Sequence, residues 1–301
     1  MTRSILVFGA GGQVGRELLT RARAEAVPAT GAARSDADIT DLDAVLKLAR
    51  AAKPRMIVNA AAYTAVDRAE TDASAAYAVN ALGAENVARA ATEIGADLLH
   101  ISTDYVFDGR KAGPYTESDP VAPIGVYGAS KADGESRVLS IMPHAVILRT
   151  AWVYGRYGNN FLKTMLRLAV TQPKLRVVAD QCGCPTATVD IAAAILAVAN
   201  SATLSGGIFH FAGTGTTSWH GFAEAIVDAQ APFSGKRPPV EAIGTGQYPT
   251  AARRPTNSVL QSDRFVRTFG YRSQPWQERT RETVEAFLKT NSETHSSGAR
   301  R

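Results

Sequence analysis

Short apolar runs ending in glycine or polar residues alternate with segments of helical periodicity through the first half of the chain. That alternation constrains the fold more than any other feature. "SILVFG" (4–9) is strand-like, and "QVGRELLTRARA" (13–24) follows it with Val14, Leu18 and Leu19 on one helix side. "ITDLDAVLKLARAAKP" (39–54) predicts a helix with Thr40 as N-cap, Asp43 three residues on and Pro54 at its end. "RMIVNAAA" (55–62), "DLLHIS" (97–102) and "HAVILRT" (144–150) predict strands, and the alanine-rich 75–96 predicts one long helix. The second strand of the series is not placed by its pattern. Such alternation implies right-handed βαβ units and a parallel sheet buried on both faces. The expected fold is therefore α/β, a Rossmann-type doubly wound sheet whose ligands bind outside the carboxyl ends of the strands. Three strand-ending loops, "GAGGQVG", "NAAAYTAVD" and "STDYVFDG", should line one crevice.

Beyond "LRTAWVYG" the pattern changes to longer loops and shorter helices, which predicts a smaller C-terminal α/β unit for the substrate. The expected division is 1–151 plus about 183–205 for the cofactor, and about 152–182 with 206–289 for the substrate. "IFHFAG" (208–213) is read as a strand of the latter, and 290–301 as a flexible tail. The 33 Lys+Arg against 28 Asp+Glu give a net charge of +5, part of it in the tail. With no basic block interleaved with aromatics, nucleic acid is excluded as a partner, and an anionic small molecule fits better. The two cysteines, Cys182 and Cys184, make neither a useful disulfide nor a zinc site, and the five histidines show no ligand spacing. No stretch approaches the ~20 apolar residues of a membrane span. A cytoplasmic protein without a metal site is expected.

Gly9, Gly12 and Gly15 stand at three-residue spacing between a strand and a helix. Glycines there let the backbone approach a pyrophosphate, which meets the free N–H groups of the helix N-terminus. No acid occupies 30–33, where an NAD enzyme would bond the ribose, and Arg34 follows. Arginine can pair with a 2′-phosphate, which favours NADPH. The alternative is NADH, with Arg34 a solvated residue and Asp36 or Asp38 contacting ribose or adenine. "YGASK" then places Tyr127 four residues before Lys131, on one helix face. A ketone that accepts hydride needs a proton, and a phenol is a willing donor. A cation one turn away is expected to lower the phenol's pKa. Thr103 and Ser102 point opposite ways on their strand, so one of them faces the crevice.

The ordered set "GQVGREL", "NAAAYTAVDRAE", "STDYVFDG", "YGASK", "LRTAWVYG", "GNNFLKTML", "ADQCGCPT" and "RRPTNSVL" resembles the dTDP-4-dehydrorhamnose reductases, within the extended short-chain dehydrogenase/reductases. The resemblance runs from about residue 4 to about 288. It implies reduction of the 4-keto group of dTDP-4-dehydro-β-L-rhamnose, in dTDP-rhamnose biosynthesis, with Thr103, Tyr127 and Lys131 as catalytic residues. The implied cofactor set is Gly9, Gly12, Gln13, Val14, Gly15, Arg34, Asp38, Ile39, Ala61, Ala62, Tyr63 and Thr64, with Tyr127 and Lys131. The implied substrate set is Thr103, Asp104, Tyr105, Trp152, Asn159, Asn160 and Arg254. The resemblance also implies a homodimer and Mg²⁺ bridging subunits through glutamates, with Glu17 matching one position. Two other functions fit the fold. A nucleotide-sugar epimerase or dehydratase would return the hydride to the sugar, although "TDYVFDG" lacks the Asp-Glu pair dehydratases favour. A non-catalytic regulatory subunit would not need Thr103, Tyr127 and Lys131.

Overall fold

The computed structural model describes residues 4–298, with side chains described through 290. The first half runs β1 (Ile5–Phe8), α1 (Gln13–Ala24), β2 (Ala29–Ala32), α2 (Leu42–Ala52) and β3 (Met56–Asn59). After β3 come α3 (Val66–Ala69), α4 (Ala73–Tyr77), a π-helical turn (Ala78–Leu82) and α5 (Gly83–Ile94). β4 (Asp97–Thr103), α6 (Val126–Ile141), β5 (Val146–Thr150) and β6 (Val153–Tyr154) follow. The second half comprises α7 (Phe161–Thr171), β7 (Leu175–Val178), β8 (Cys182–Gly183), β9 (Thr186–Ala187), α8 (Thr188–Asn200) and β10 (Gly207–His210). It ends with β11 (Thr217–Ser218), α9 (Trp219–Ser234), β12 (Val240–Ile243), α10 (Asp263–Phe269) and α11 (Trp276–Gly298).

The main sheet has six parallel strands in the order β10-β5-β4-β3-β1-β2. The strand order reverses between β1 and β3, so their carboxyl ends open the ligand crevice. Strand alternation splits the core. Ile5 and Val7 join α1 and α8 through Leu18 and Ile195, while Leu6 and Phe8 join α2 and α5 through Val45 and Val87. A separate apolar cluster, with Tyr154, Leu166, Phe222 and Val284, ties α7, α9 and α11 together.

Several expectations need correction. Asp41, not Thr40, caps α2 by accepting from the Ala44 N–H, while the Thr40 hydroxyl donates to Asp38. The long helix 75–96 is interrupted by the π turn, which carries buried Asn80. Asn80 accepts from the Tyr63 N–H and donates to the Tyr63 carbonyl and the Ser130 hydroxyl, fixing the loop after β3 against α6. β10 extends the parallel sheet beside β5, and Phe265 of α10 packs in the same core, so neither belongs with the C-terminal cluster. α11 continues to Gly298 through most of the stretch read as a tail from 290, and 299–301 lie outside the described residues. Both cysteines are free. Among the described residues no helix is long and apolar enough to cross a membrane.

Candidate active site

The glycine loop is built for close approach. Gly9 has φ +79°, and a Cβ there would lie 2.5 Å from the Ala61 nitrogen, in the loop after β3. A Cβ on Gly15 would lie 2.3 Å from the Gly9 carbonyl oxygen. Gly12 is the N-cap of α1, which has no side-chain cap and no acid in its first turn. The N–H groups of Gln13, Val14 and Gly15 are therefore presented at a positive helix end, the arrangement a pyrophosphate needs.

At the edge of this crevice Arg34 is 83% exposed and bonds Asp38 through Nε at 2.9 Å. Asp38 also accepts from the Thr40 N–H and hydroxyl, and the backbone bond is the main reason its pKa is lowered. Asp36 accepts from the Ala33 N–H. Ile39, expected at the cofactor, is 4% exposed and packs in the core beside the second strand, and its carbonyl accepts from Asn86. Ala61, Ala62 and Tyr63 are half-buried in the loop after β3, and Thr64 is exposed there.

β4 and α6 bring together the groups expected to transfer a proton. Thr103 ends β4, buried, with its hydroxyl donating to Asp104 Oδ1 at 3.0 Å. Ser102 faces the other way and donates to Glu135. The Tyr127 ring meets the Tyr105 ring edge-on, with centroids 5.4 Å apart. Desolvation raises the Tyr127 pKa, and a hydrogen bond with Thr103 opposes that rise. The expected lowering by Lys131 is not found. Lys131 Nζ donates to the Ile101 carbonyl at 2.6 Å and lies 3.2 Å from His100 Nε2, on the β4 backbone side. A phenol held neutral is nevertheless the form that protonates an alkoxide, so the site is set up as an acid.

Asp104 is 3% exposed, and its Oδ2 has no hydrogen-bond partner. Burial pushes its pKa up from 3.8 to about 6, against bonds from Ser258 and Thr103. A raised folded-state pKa means folding favours the protonated acid. That stabilisation is complete below about pH 4 and is lost as pH rises through about 6. Asp104→Asn is therefore expected to match the parent in stability at pH 4 and to exceed it by about 3 kcal/mol at pH 8. Urea unfolding at the two pH values checks this, and a pH-independent difference would contradict it.

Arg254 reaches the same cluster from the C-terminal side. Its Nη1 donates to the Tyr105 hydroxyl at 3.0 Å and its Nη2 to Asp67 Oδ2 at 2.7 Å. Asp67 also accepts from the Ala252 N–H, so it aims the arginine and anchors its loop. Arg254 borders a cavity of about 390 Å³ walled by Phe161, Trp219 and Tyr248, with Arg176 and Gln181. Three expected substrate residues stand differently. Asn160 caps α7 through the Lys163 N–H, and its amide bonds Gly155, Tyr157 and Gln13, which makes it structural. Trp152 does not line the cavity. It adopts φ +47° and stacks on Trp219 with ring centroids 3.6 Å apart. Asn159 is exposed. Glu17 is buried and bonded to Arg156 and Thr188, and no metal-holding group of three His, Cys, Asp or Glu occurs among the described residues. Sequence reasoning missed Asp67, although it lies inside the quoted "NAAAYTAVDRAE", and gave no role to His100.

The family model described as the RmlD substrate binding domain matches residues 2–289. A protein of Sinorhizobium fredii named dTDP-4-dehydrorhamnose reductase is 46% identical over 290 residues, covering 94% of this chain and 97% of the relative. The chain belongs to the dTDP-4-dehydrorhamnose reductase family. The crystal structure of a family member from Clostridium acetobutylicum superposes with a TM-score of 0.88 at 39% identity, covering 94% of this chain and 99% of that one. A Bacillus anthracis member in complex with NADP gives 0.87 at 37% identity, covering 96% and 100%. Family membership thus agrees with the crevice geometry, in which the glycine loop and the Thr103–Tyr127 pair open on the same strand ends.

Proposed function

We propose that this chain reduces the 4-keto group of dTDP-4-dehydro-β-L-rhamnose to dTDP-β-L-rhamnose with NADPH. The observation that carries the reading is the neutral, desolvated Tyr127 phenol beside Thr103, in the crevice that the glycine loop opens. NADPH, when bound, supplies the hydride. Tyr127 gives its proton to the forming alkoxide, and the Thr103 hydroxyl holds the same oxygen. Lys131 fixes the nicotinamide ribose. Gly9, Gly12 and Gly15, with the N–H groups of Gln13 and Val14, hold the pyrophosphate, and Arg34 takes the 2′-phosphate. The relative crystallised with NADP supports that choice, as does an Arg34 engaged only at the surface. Ala61, Ala62, Tyr63 and Thr64 form the facing wall, and Asp38 stands by the adenosine end.

The substrate diphosphate is assigned to Arg254, with the nucleotide in the aromatic cavity of Phe161, Trp219 and Tyr248. Asp104 and Tyr105 face the sugar. The cofactor unit comprises 1–151 and about 183–205 with β10 and α10, and the remainder is the substrate unit. A cytoplasmic enzyme acting as a homodimer fits this reading. The test is an assay of purified protein with NADPH and NADH against a panel of 4-keto sugar nucleotides. Substrate-dependent NADPH loss, fastest with the dTDP-rhamnose precursor, is expected. Interconversion of sugars with no net NADPH loss would make it an epimerase, and no turnover on any sugar would leave a binding subunit.

A further inference from the structure

Behind Lys131 runs a chain of buried side chains that proton delivery by Tyr127 does not use. Asn59 ends β3 and His100 sits on β4, each 1% exposed. The Ala61 backbone N–H donates to Asn59 Oδ1 at 3.1 Å. Asn59 Nδ2 lies 3.1 Å from His100 Nδ1, and His100 Nε2 lies 3.2 Å from Lys131 Nζ. The last link is the bond from Nζ to the Ile101 carbonyl.

The polarity of this chain follows from its first member. A backbone N–H only donates, so it holds Asn59 with oxygen toward Ala61 and NH₂ toward the imidazole. His100 must then accept at Nδ1 and carry its proton on Nε2. His100 is neutral, because burial holds its pKa well below the usual histidine range. An Nε2–H aimed at Lys131 needs a lone pair on Nζ, which only the neutral amine has. An ammonium would need Nε2 bare, Nδ1 protonated and Asn59 turned over. The Ala61 N–H would then face an NH₂ group.

We infer that Asn59 and His100 are positioning residues, a one-way donor chain that sets the charge of Lys131 and couples it to the loop carrying Ala61. Other groups facing Lys131 are few. Glu135, one turn along α6, favours the ammonium, but both its oxygens bond Arg149 of β5. Tyr127, one turn back, is neutral, and Ser130, the preceding α6 residue, with Asn80 of the π turn bonded to it, carries no charge. Burial pushes Lys131 down to about 8, so the donor chain acts on a group already balanced near working pH. A ligand that moves the loop after β3 breaks the first link, frees Asn59 to turn over and lets Lys131 take up a proton.

The inference rests on the reductase reading only in giving Lys131 a cofactor to hold. The test is ¹⁵N-histidine NMR of the cofactor-free protein, which reports the protonated nitrogen, together with the pH profile of turnover. His100 is expected as the Nε2–H tautomer at pH 9. In Asn59→Asp a carboxylate accepts from both Ala61 and Nδ1–H, which favours the ammonium. His100 should then be Nδ1–H, and the basic limb of kcat should rise by about one pH unit or more. An Nδ1–H tautomer in the parent at pH 9, or an unmoved limb in a folded Asn59→Asp, overturns the inference. The parent spectrum decides even if the variant fails to fold. Absence of any turnover would overturn the reductase reading and leave the tautomer result standing.

Discussion

Tyr127→Phe is expected to lower kcat by about 10²–10⁴-fold while leaving NADPH affinity nearly unchanged. The variant removes one hydroxyl. Its ring still meets Tyr105 edge-on, so packing at the start of α6 is kept. Thr103 cannot replace the lost acid: its hydroxyl, which donates to Asp104 here, can turn to hold the oxygen, but an aliphatic alcohol is too weak an acid to give its proton up. The pyrophosphate site and Lys131 are untouched, so cofactor titration by fluorescence should overlay the parent. Turnover within about tenfold of the parent would remove Tyr127 from the chemistry.

Glu135→Leu is expected to destabilise the protein by about 3–5 kcal/mol. Arg149 donates to Glu135 through Nε at 2.9 Å and Nη2 at 2.6 Å, and the two side chains are only 1% and 5% exposed. Ser102 adds a third bond to the same carboxylate, and the guanidinium lies 5.1 Å from the Phe107 ring centre. Removing the acid leaves a buried charge with nothing to balance it. Replacing both partners, as Glu135→Leu with Arg149→Met, removes that penalty and should recover most of the loss. Denaturant midpoints of the two single variants and the double variant check this. Single variants within about 0.5 kcal/mol of the parent would contradict it.

The parallel sheet was legible because strands buried on both faces read as continuous apolar runs, as in Ile5–Phe8 and the first three residues of β5. β2 was not, because it is a four-residue edge strand with Thr30 and Gly31 exposed. β10 was grouped with the C-terminal unit because its partner β5 lies some sixty residues earlier, and only tertiary pairing reveals it. Tyr127 was singled out by its motif spacing, while strand alternation left Ser102 or Thr103 and the family resemblance chose Thr103. The direction of Lys131 was not legible, since it depends on His100 and Ile101 across the helix–sheet contact. Asn160 carried the signal of its true role, a capping residue directly before an amphipathic helix, and was read as a ligand instead. Arg254 was singled out by its motif, whereas Asp67, which aims it, forms its ion pair across nearly two hundred residues of sequence.

The most direct measurement is transfer of deuterium from NADPH labelled at the reactive C4 position to dTDP-4-dehydro-β-L-rhamnose. If Tyr127 acts as the acid of a reductase, each sugar gains one deuterium at C4 and one NADPH is consumed per product, and both signals collapse together in Tyr127→Phe. Product that forms without deuterium at C4, or without matching loss of NADPH, would contradict it.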